Sequence, residues 1–364
     1  MHTATHPVRR WFLGSLLAFC FFTHGLERPG VEFKIFQFPP DRIPRIDGKT
    51  DDWDMVPADY RIGLDQLAET VVGKGTNYNR TDLDVTVRVG WVKGMNQLYF
   101  LYEATDDYWD FSKPDLHNDI FEVVVDGDLS GGPLIKHQHP YFKKPEEAHE
   151  LFHGVHAQNY HIFTPAEGKD WAMVWGAQPW IKDLPYANAA SSYAFRPGQP
   201  GRLTLEFWIT PFDYASPEGP GRSVVTSLVE NRLLAMSWAV LDYDDVKAER
   251  YNGFWNLSHK TTMYGNASDL CAFRLMPLIP SLRKPVEAQW SFHLVDADRR
   301  VVAFTDQSST NATGWKWEFG DGETSVERHP IHTYKRGGEY IVTLAVESPA
   351  GPARRTKIWD VVVK

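Results

Sequence analysis

Alternation with a period of two, recurring in one segment after another, limits this chain to a β architecture more firmly than any other feature. Val85-Thr-Val-Arg-Val-Gly-Trp-Val92 alternates, and Leu98-Tyr-Phe-Leu-Tyr-Glu-Ala104 is an apolar and aromatic run. Gly94-Met-Asn-Gln97 between them supplies a turn, so the pair is expected to form a hairpin. Asp119-Ile-Phe-Glu-Val-Val-Val-Asp126 puts Phe121, Val123 and Val125 on one face and Ile120, Glu122 and Val124 on the other. Asn159–Phe163, Arg202–Ile209 and Leu233–Val240 continue the series. Many short strands separated by turn residues indicate sandwiches. Helical signal is confined to Pro145–His153, which is long enough for two turns. Leu275–Pro285 holds three prolines and reads as a linker between two all-β domains.

Arg9 and Arg10 precede a run of twelve residues, Trp11–Phe22, that is almost wholly apolar, and Thr23-His24-Gly25 follows. A charged start, a short apolar core and a small-residue exit predict a signal peptide over residues 1–25 and a secreted or periplasmic protein. The run is shorter than the roughly 20 residues a membrane helix needs, and no later stretch reaches that length, so no membrane span is expected in the mature chain. Once residue 20 is removed, Cys271 is the one cysteine left. No intrachain disulfide is then possible, which suits a bacterial exported protein with large cores. The net charge of −9 excludes the basic stripe that nucleic acid requires. The chain carries 14 Trp, 15 Tyr and 21 Phe, a content that suits both sandwich cores and sugar-stacking surfaces.

Near the C-terminus stands Trp317-Glu-Phe-Gly-Asp-Gly-Glu-Thr-Ser325, followed by Pro330-Ile-His332, Tyr334, Gly338-Glu-Tyr340 and Val342-Thr-Leu-Ala-Val346. Trp317 and Phe319 alternate inward, and Gly320-Asp321-Gly322 makes a turn. Residues 290–364 closely resemble polycystic-kidney-disease (PKD) domains, small immunoglobulin-like β-sandwiches. That resemblance implies a spacer or a docking module for other secreted or surface proteins.

Four blocks place residues 41–277 beside another family. Ile46-Asp-Gly-Lys-Thr-Asp-Asp-Trp53 opens the region. Val87–Trp91, Leu98–Tyr102 and Asp106-Asp107 follow, then Asp119–Asp126, then Leu203–Ile209 with Pro211. In this order they resemble the family 9 carbohydrate-binding modules. The resemblance implies a jelly-roll-like sandwich, often calcium-bearing, that holds a polysaccharide between aromatic faces with carboxylates on the hydroxyls. Glu122 is the matching carboxylate. The first aromatic clamp of that family falls at Leu116, so Trp109 from the same loop is the substitute. Trp255 is the candidate for the second clamp. The basic residue expected on the next strand is absent, its segment reading Tyr160-His161-Ile-Phe163. Trp171, Trp175 and Trp180 lie in an insertion and offer a different platform, of which Trp175 is taken as a ligand candidate. Residues 278–289 are then the linker.

One motif argues for an enzyme instead. His149-Glu-Leu-Phe-His153 reads H-E-x-x-H, so on a helix two imidazoles could hold zinc with Glu150 activating water. The extended pattern wants Gly at the place of His156 and His at the place of Asn159, which argues against a catalytic zinc. Acidic turns point rather to calcium: Asp126 and Asp128 in one, Asp242 and Asp244 in another. The reading is therefore a secreted glycan-binding protein with no chemistry of its own. A metal-dependent hydrolase using His149 and His153 and a non-catalytic structural surface protein are the alternatives.

Overall fold

The computed structural model describes residues 26–131, 154–282, 286–309, 312–348 and 351–364. Its first domain is built on eleven principal strands: β1 (Glu27–Phe38), β2 (Leu83–Val92), β3 (Leu98–Asp106), β4 (Ile120–Asp126), β5 (Gln158–Phe163), β6 (Ala172–Val174), β7 (Ala187–Ser192), β8 (Gly201–Ile209), β9 (Leu233–Asp242), β10 (Gly253–Asn256) and β11 (Cys271–Leu275). One sheet runs β6-β5-β4-β9-β11-β1, and the other runs β1-β2-β3-β8-β7. β1 belongs to both. Its first part lies parallel to β11 as far as Ile35, and from Phe36 it lies parallel to β2. The sandwich thus begins at residue 27 rather than 41, because β1 is the strand that joins its two layers.

The inward halves of the alternating strands form the core, as period two requires. Phe121, Val123 and Val125 of β4 meet Phe100, Tyr102 and Phe207 of the other sheet. Tyr102 stacks on Phe121 with ring centres 4.4 Å apart. Both outer faces are also covered. On the second sheet Glu206 is fully buried, and one carboxylate oxygen accepts the N–H groups of Asp47, Gly48 and Lys49 while the other accepts Trp53 Nε1. The opening Asp-Gly…Trp block is therefore a segment tied down across the sheet by one charge. On the first sheet the outward residues Ile120, Val124, Ala239 and Leu241 are covered by Tyr243, Phe254, Met263 and Leu270 from the segment after β9.

The second domain has strands β12 (Trp290–Asp296), β13 (Val301–Asp306), β14 (Gly314–Glu318), β15 (Thr324–Ser325), β16 (Ile331–Thr333), β17 (Gly338–Glu347) and β18 (Ala353–Val363). They form sheets β12-β13-β16 and β15-β14-β17-β18. Trp290, Phe304, Trp317, Phe319, Val342, Leu344 and Val346 fill the space between them. Gly320 has φ +85°, and a Cβ there would lie 2.6 Å from Ile341 O, so the Gly-Asp-Gly turn admits no side chain at that point. Val286 and Ala288 already belong to this core, so the linker ends before residue 289. Arg355 of β18 donates to Lys93 O at 2.9 Å, at the tip of the β2–β3 hairpin. The helix expected over 145–153 lies outside the described residues. Among the described residues no helix is long and apolar enough to cross a membrane.

Candidate functional site

Strand pairing brings aspartates from distant parts of the chain to one end of the first domain. Leu83 pairs with Asp106, which sets Asp82 near the close of β3. Ile120 pairs with Leu241, which sets Asp119 beside Asp242. Carboxylate oxygens of Asp82, Asp106, Asp107, Asp119, Asp242 and Asp244 then fall into three overlapping triads, with the atoms of each triad within 4.8 Å of one another. Asp106, Asp119 and Asp242 are all but sealed from solvent. Burial, with the charge of Asp244 next, pushes Asp242 up to about 7. Burial and then Asp242 push Asp106 up to about 8, and burial and then Asp106 hold Asp119 well above the usual range.

Part of this charge is met by the backbone. Asp119 accepts the N–H groups of Asp110 at 2.6 Å and Tyr243 at 2.8 Å, and Asp106 accepts that of Tyr108 at 2.8 Å. Both oxygens of Asp242 and Oδ1 of Asp244 are buried without a hydrogen-bond partner. A buried carboxylate left this way is costly, so such a group calls for a cation. The donor set is all oxygen, which fits a hard dication such as calcium and lacks the nitrogen and sulfur that zinc favours. Asp106, Asp119 and Asp242 would hold it from the inside, with Asp82, Asp107 and Asp244 toward the rim. Bound there, the ion would supply positive charge that cancels the repulsion between these strands.

A second polar group stands on the outer face of the first sheet. Glu122 lies between Ile120 and Val124 on β4, and the neighbouring β5 turns Asn159 and His161 to the same side. Glu122 Oε1 accepts Asn159 Nδ2 at 2.9 Å and lies 3.0 Å from His161 Nε2. Trp175 Nε1 also meets His161 Nε2. Asn159 Oδ1 and His161 Nδ1 are buried with no partner. Around this polar floor stand partly open rings. Trp175 and Tyr251 are half-buried, and Tyr264, whose carbonyl accepts Asn159 Nδ2 at 3.2 Å, is 43% exposed. Burial raises the Tyr251 hydroxyl, and the charges of Glu69, Glu122 and Tyr264 add to the effect.

The residues singled out from sequence divide clearly. Glu122 and Trp175 meet through His161. Trp109 does not join them: it is 1% exposed, stacked on Phe195 at 4.8 Å, with its indole N–H donated to Gly201 O. Both its faces and its polar edge are used by the core, so Trp109 offers nothing to a ligand. Trp255 is likewise 2% exposed and packs inward, with Lys74 Nζ 5.8 Å from its ring centre. Its buried Nε1 has no partner, and it adjoins the acidic centre at Asp242 rather than Glu122. Asp242 and Asp244 join the acidic centre. Asp126 instead accepts the N–H groups of Asp128, Ser130 and Gly131 and shapes its own turn. His149, Glu150 and His153 lie outside the described residues.

Sequence reasoning did not single out Asn159, Tyr251 and Tyr264, nor Asp82, Asp106, Asp107 and Asp119 as cation ligands. The alternation of β5 held the signal for Asn159, since it shares a face with His161. Acidic residues at four strand ends, those of β2, β3, β4 and β9, were the signal for the centre.

A family model described as "PKD domain" matches residues 285–363. Collagenase ColQ1 of Bacillus cereus (strain Q1) is 44% identical over 62 residues, which is 17% of this chain and 5% of that protein. A microbial collagenase of Vibrio alginolyticus is 39% identical over 54 residues, 14% of this chain and 7% of that protein. The chain thus spans only a small part of either relative. Among solved structures, a family 9 carbohydrate-binding module from Caldicellulosiruptor kristjanssonii in complex with cellotriose aligns with 70% of this chain and 98% of its own, at 13% identity and a TM-score of 0.43. The PKD1 domain of the Vibrio cholerae metalloprotease PrtV aligns with 22% of this chain and 96% of its own, at 28% identity and a TM-score of 0.20. The C-terminal domain of this chain, residues 285–363, is a PKD domain.

Proposed function

We propose that the first domain binds a glycan over Glu122, Asn159 and His161, and that the acidic centre beside it holds calcium. The observation that carries the reading is the pair of buried, unpartnered atoms, Asn159 Oδ1 and His161 Nδ1, set next to a buried carboxylate. A sugar hydroxyl both donates and accepts, so a rim of hydroxyls can satisfy all three groups at once. The half-open rings of Trp175, Tyr251 and Tyr264 suit the apolar C–H face of a pyranose. This arrangement binds and orients; the described residues assign it no chemical step.

The leader-like segment at residues 1–25 supports a secreted or periplasmic setting. The PKD domain would then space the binding domain from its attachment or dock it to another exported protein. Affinity measurement against a panel of soluble oligosaccharides and insoluble polysaccharides tests the reading. Binding of at least one glycan, weakened roughly tenfold or more by Glu122→Gln, is expected from the loss of hydrogen bonds to a charged group. Absence of binding across the panel, or equal affinity in the variant, would overturn it.

A further inference from the structure

Between β9 and β10 the chain forms a loop, Tyr243–Asn252, whose ends are tied to the acidic centre. Tyr243 N–H donates to Asp119 Oδ1 at 2.8 Å. At the other end Asn252 N–H donates to Asp242 O at 2.6 Å, and Asn252 Nδ2 donates to Asp244 Oδ2 at 2.5 Å. Between these ties the loop is held lightly: Val246 N–H reaches Tyr108 Oη at 3.2 Å, and Lys113 Nζ reaches Ala248 O at 3.3 Å. Asp245, Val246, Lys247, Glu249 and Arg250 are exposed. Its inward residues, Ala248 and Tyr251, pack on the cluster that contains Ile120 and Val124, the two neighbours of Glu122.

We propose that this loop is a cation-ordered lid, so that calcium at the acidic centre controls the glycan site without touching the sugar. The inference rests on the glycan and cation readings above. Its second support, beyond the convergence of carboxylates, is that both oxygens of Asp242 are buried there with no donor bonded to them; the unpartnered Trp255 indole N–H lies beside them but, as a donor, is not a cation ligand. A Cβ on Gly253 would lie 2.4 Å from Trp255 Nε1 and 3.3 Å from Asp242 Oδ2, so both groups converge at the point where the loop rejoins the sheet.

The groups of the centre are unequally restrained. The carboxylates of the centre repel one another when no cation lies among them, and something must yield, by proton uptake at the buried members or by movement of the least restrained element. Asp106 and Asp242 end strands that are laddered on both sides, and Asp119 adjoins another. Asp244 and Asn252 belong to the loop, which is anchored by a few hydrogen bonds and by the packing of Tyr243, Ala248 and Tyr251 rather than by a strand ladder. Removal of the ion therefore releases the loop and leaves the sheets in place. Tyr251 is the last residue before Asn252, so it leaves the cup when that tie is lost. A ligand that needs the ordered loop then binds more weakly, because ordering must accompany binding.

The test uses the whole chain and begins with calcium chloride as the sole probe. Hydrogen exchange by mass spectrometry is compared in calcium and in EDTA. Protection gained over 243–252, with β4 and β9 unchanged, is the expected result; equal exchange of the loop in both conditions overturns the proposal. Asn252→Ala removes the tie to Asp244 but no carboxylate. It should still gain thermal stability from calcium while its loop stays fast-exchanging; a loop protected as in the parent would also overturn the lid. The glycan identified by the panel then gives the second readout. Affinity roughly tenfold weaker in EDTA is expected from an ordinary coupling free energy. Equal affinity in both conditions defeats the lid while leaving the glycan reading intact. Failure of every glycan to bind calcium-loaded protein defeats the glycan reading, and with it the coupling, even if the loop still responds to the ion.

Discussion

Asp119 and Glu122 stand three residues apart, are equally buried, and face opposite sides of the same sheet. Asp119 turns with Phe121 toward the interior, where it meets Asp106 and Asp242. Glu122 turns with Ile120 and Val124 to the outer face, where it meets Asn159 and His161. One strand thus contributes to two sites, one suited to a cation and one to a neutral polar ligand. The ladder between β4 and β9 keeps them at a constant separation.

Calcium should raise the thermal stability of the purified protein. A ligand at a hundred times its dissociation constant stabilises by about 2.7 kcal/mol. For a domain of this size that corresponds to a shift of roughly 5–10 °C. Differential scanning fluorimetry in calcium and in EDTA measures it. Asp242→Asn should remove most of the shift, and a variant that responds as fully as the parent would show that Asp242 is no ligand.

Two of the three tryptophans proposed as ligand contacts from sequence, Trp109 and Trp175, should separate. Trp109→Ala opens a cavity in the core and should cost about 3–5 kcal/mol in urea unfolding. Trp175→Ala should cost far less stability but lower glycan affinity roughly three- to tenfold, the worth of one aromatic contact. If Trp109→Ala unfolds at the parent's urea concentration, the placement of that ring is wrong.

Glu206 ties residues 47–49 and Trp53 to the second sheet. Glu206→Gln keeps the size but loses the charge that three backbone N–H groups and an indole N–H share, so a loss of about 3 kcal/mol is expected. Proteolysis should then cut first near residues 41–57. A variant as resistant as the parent would mean that other contacts hold the segment.

The PKD domain should lose stability in acid through Asp321. Burial opposes its ionisation, but the Glu323 N–H and His332, whose Nε2 lies 2.8 Å away, outweigh that and hold its carboxyl below the usual range. A depressed folded value means that the contribution is present above the unfolded pKa of about 3.9 and disappears as pH falls through the folded value. Asp321→Asn should lower stability at neutral pH and flatten its dependence on pH below about 4. Parallel pH profiles for parent and variant would exclude this role.

Much of the architecture was legible from local pattern. The hairpin at Gly94, the two-faced strand around Glu122 and the inward Trp317 and Phe319 all follow from side chains alternating across a strand, which is a property of neighbouring residues. The Trp-Glu-Phe-Gly-Asp-Gly turn was legible for the same reason, since Gly320 must adopt a positive φ beside Ile341. Which tryptophans are open was not legible. A buried and an exposed ring have the same sequence signature, and only the packing of Trp109 on Phe195 distinguishes it from Trp175.

The acidic centre marks the division between the two kinds of information. The sequence by itself determined that carboxylates stand at strand ends, that Asp242 and Asp244 share a turn, and that Glu122 lies on the face away from Phe121. Tertiary structure alone decided that Asp82, Asp106, Asp119 and Asp242 meet, because register between strands far apart in the chain sets their distances. It decided as well that Trp255 serves that centre and not the cup at Glu122. Burial and convergence set these aspartates apart from ordinary turn carboxylates, and both are properties of the packed sheets rather than of any segment.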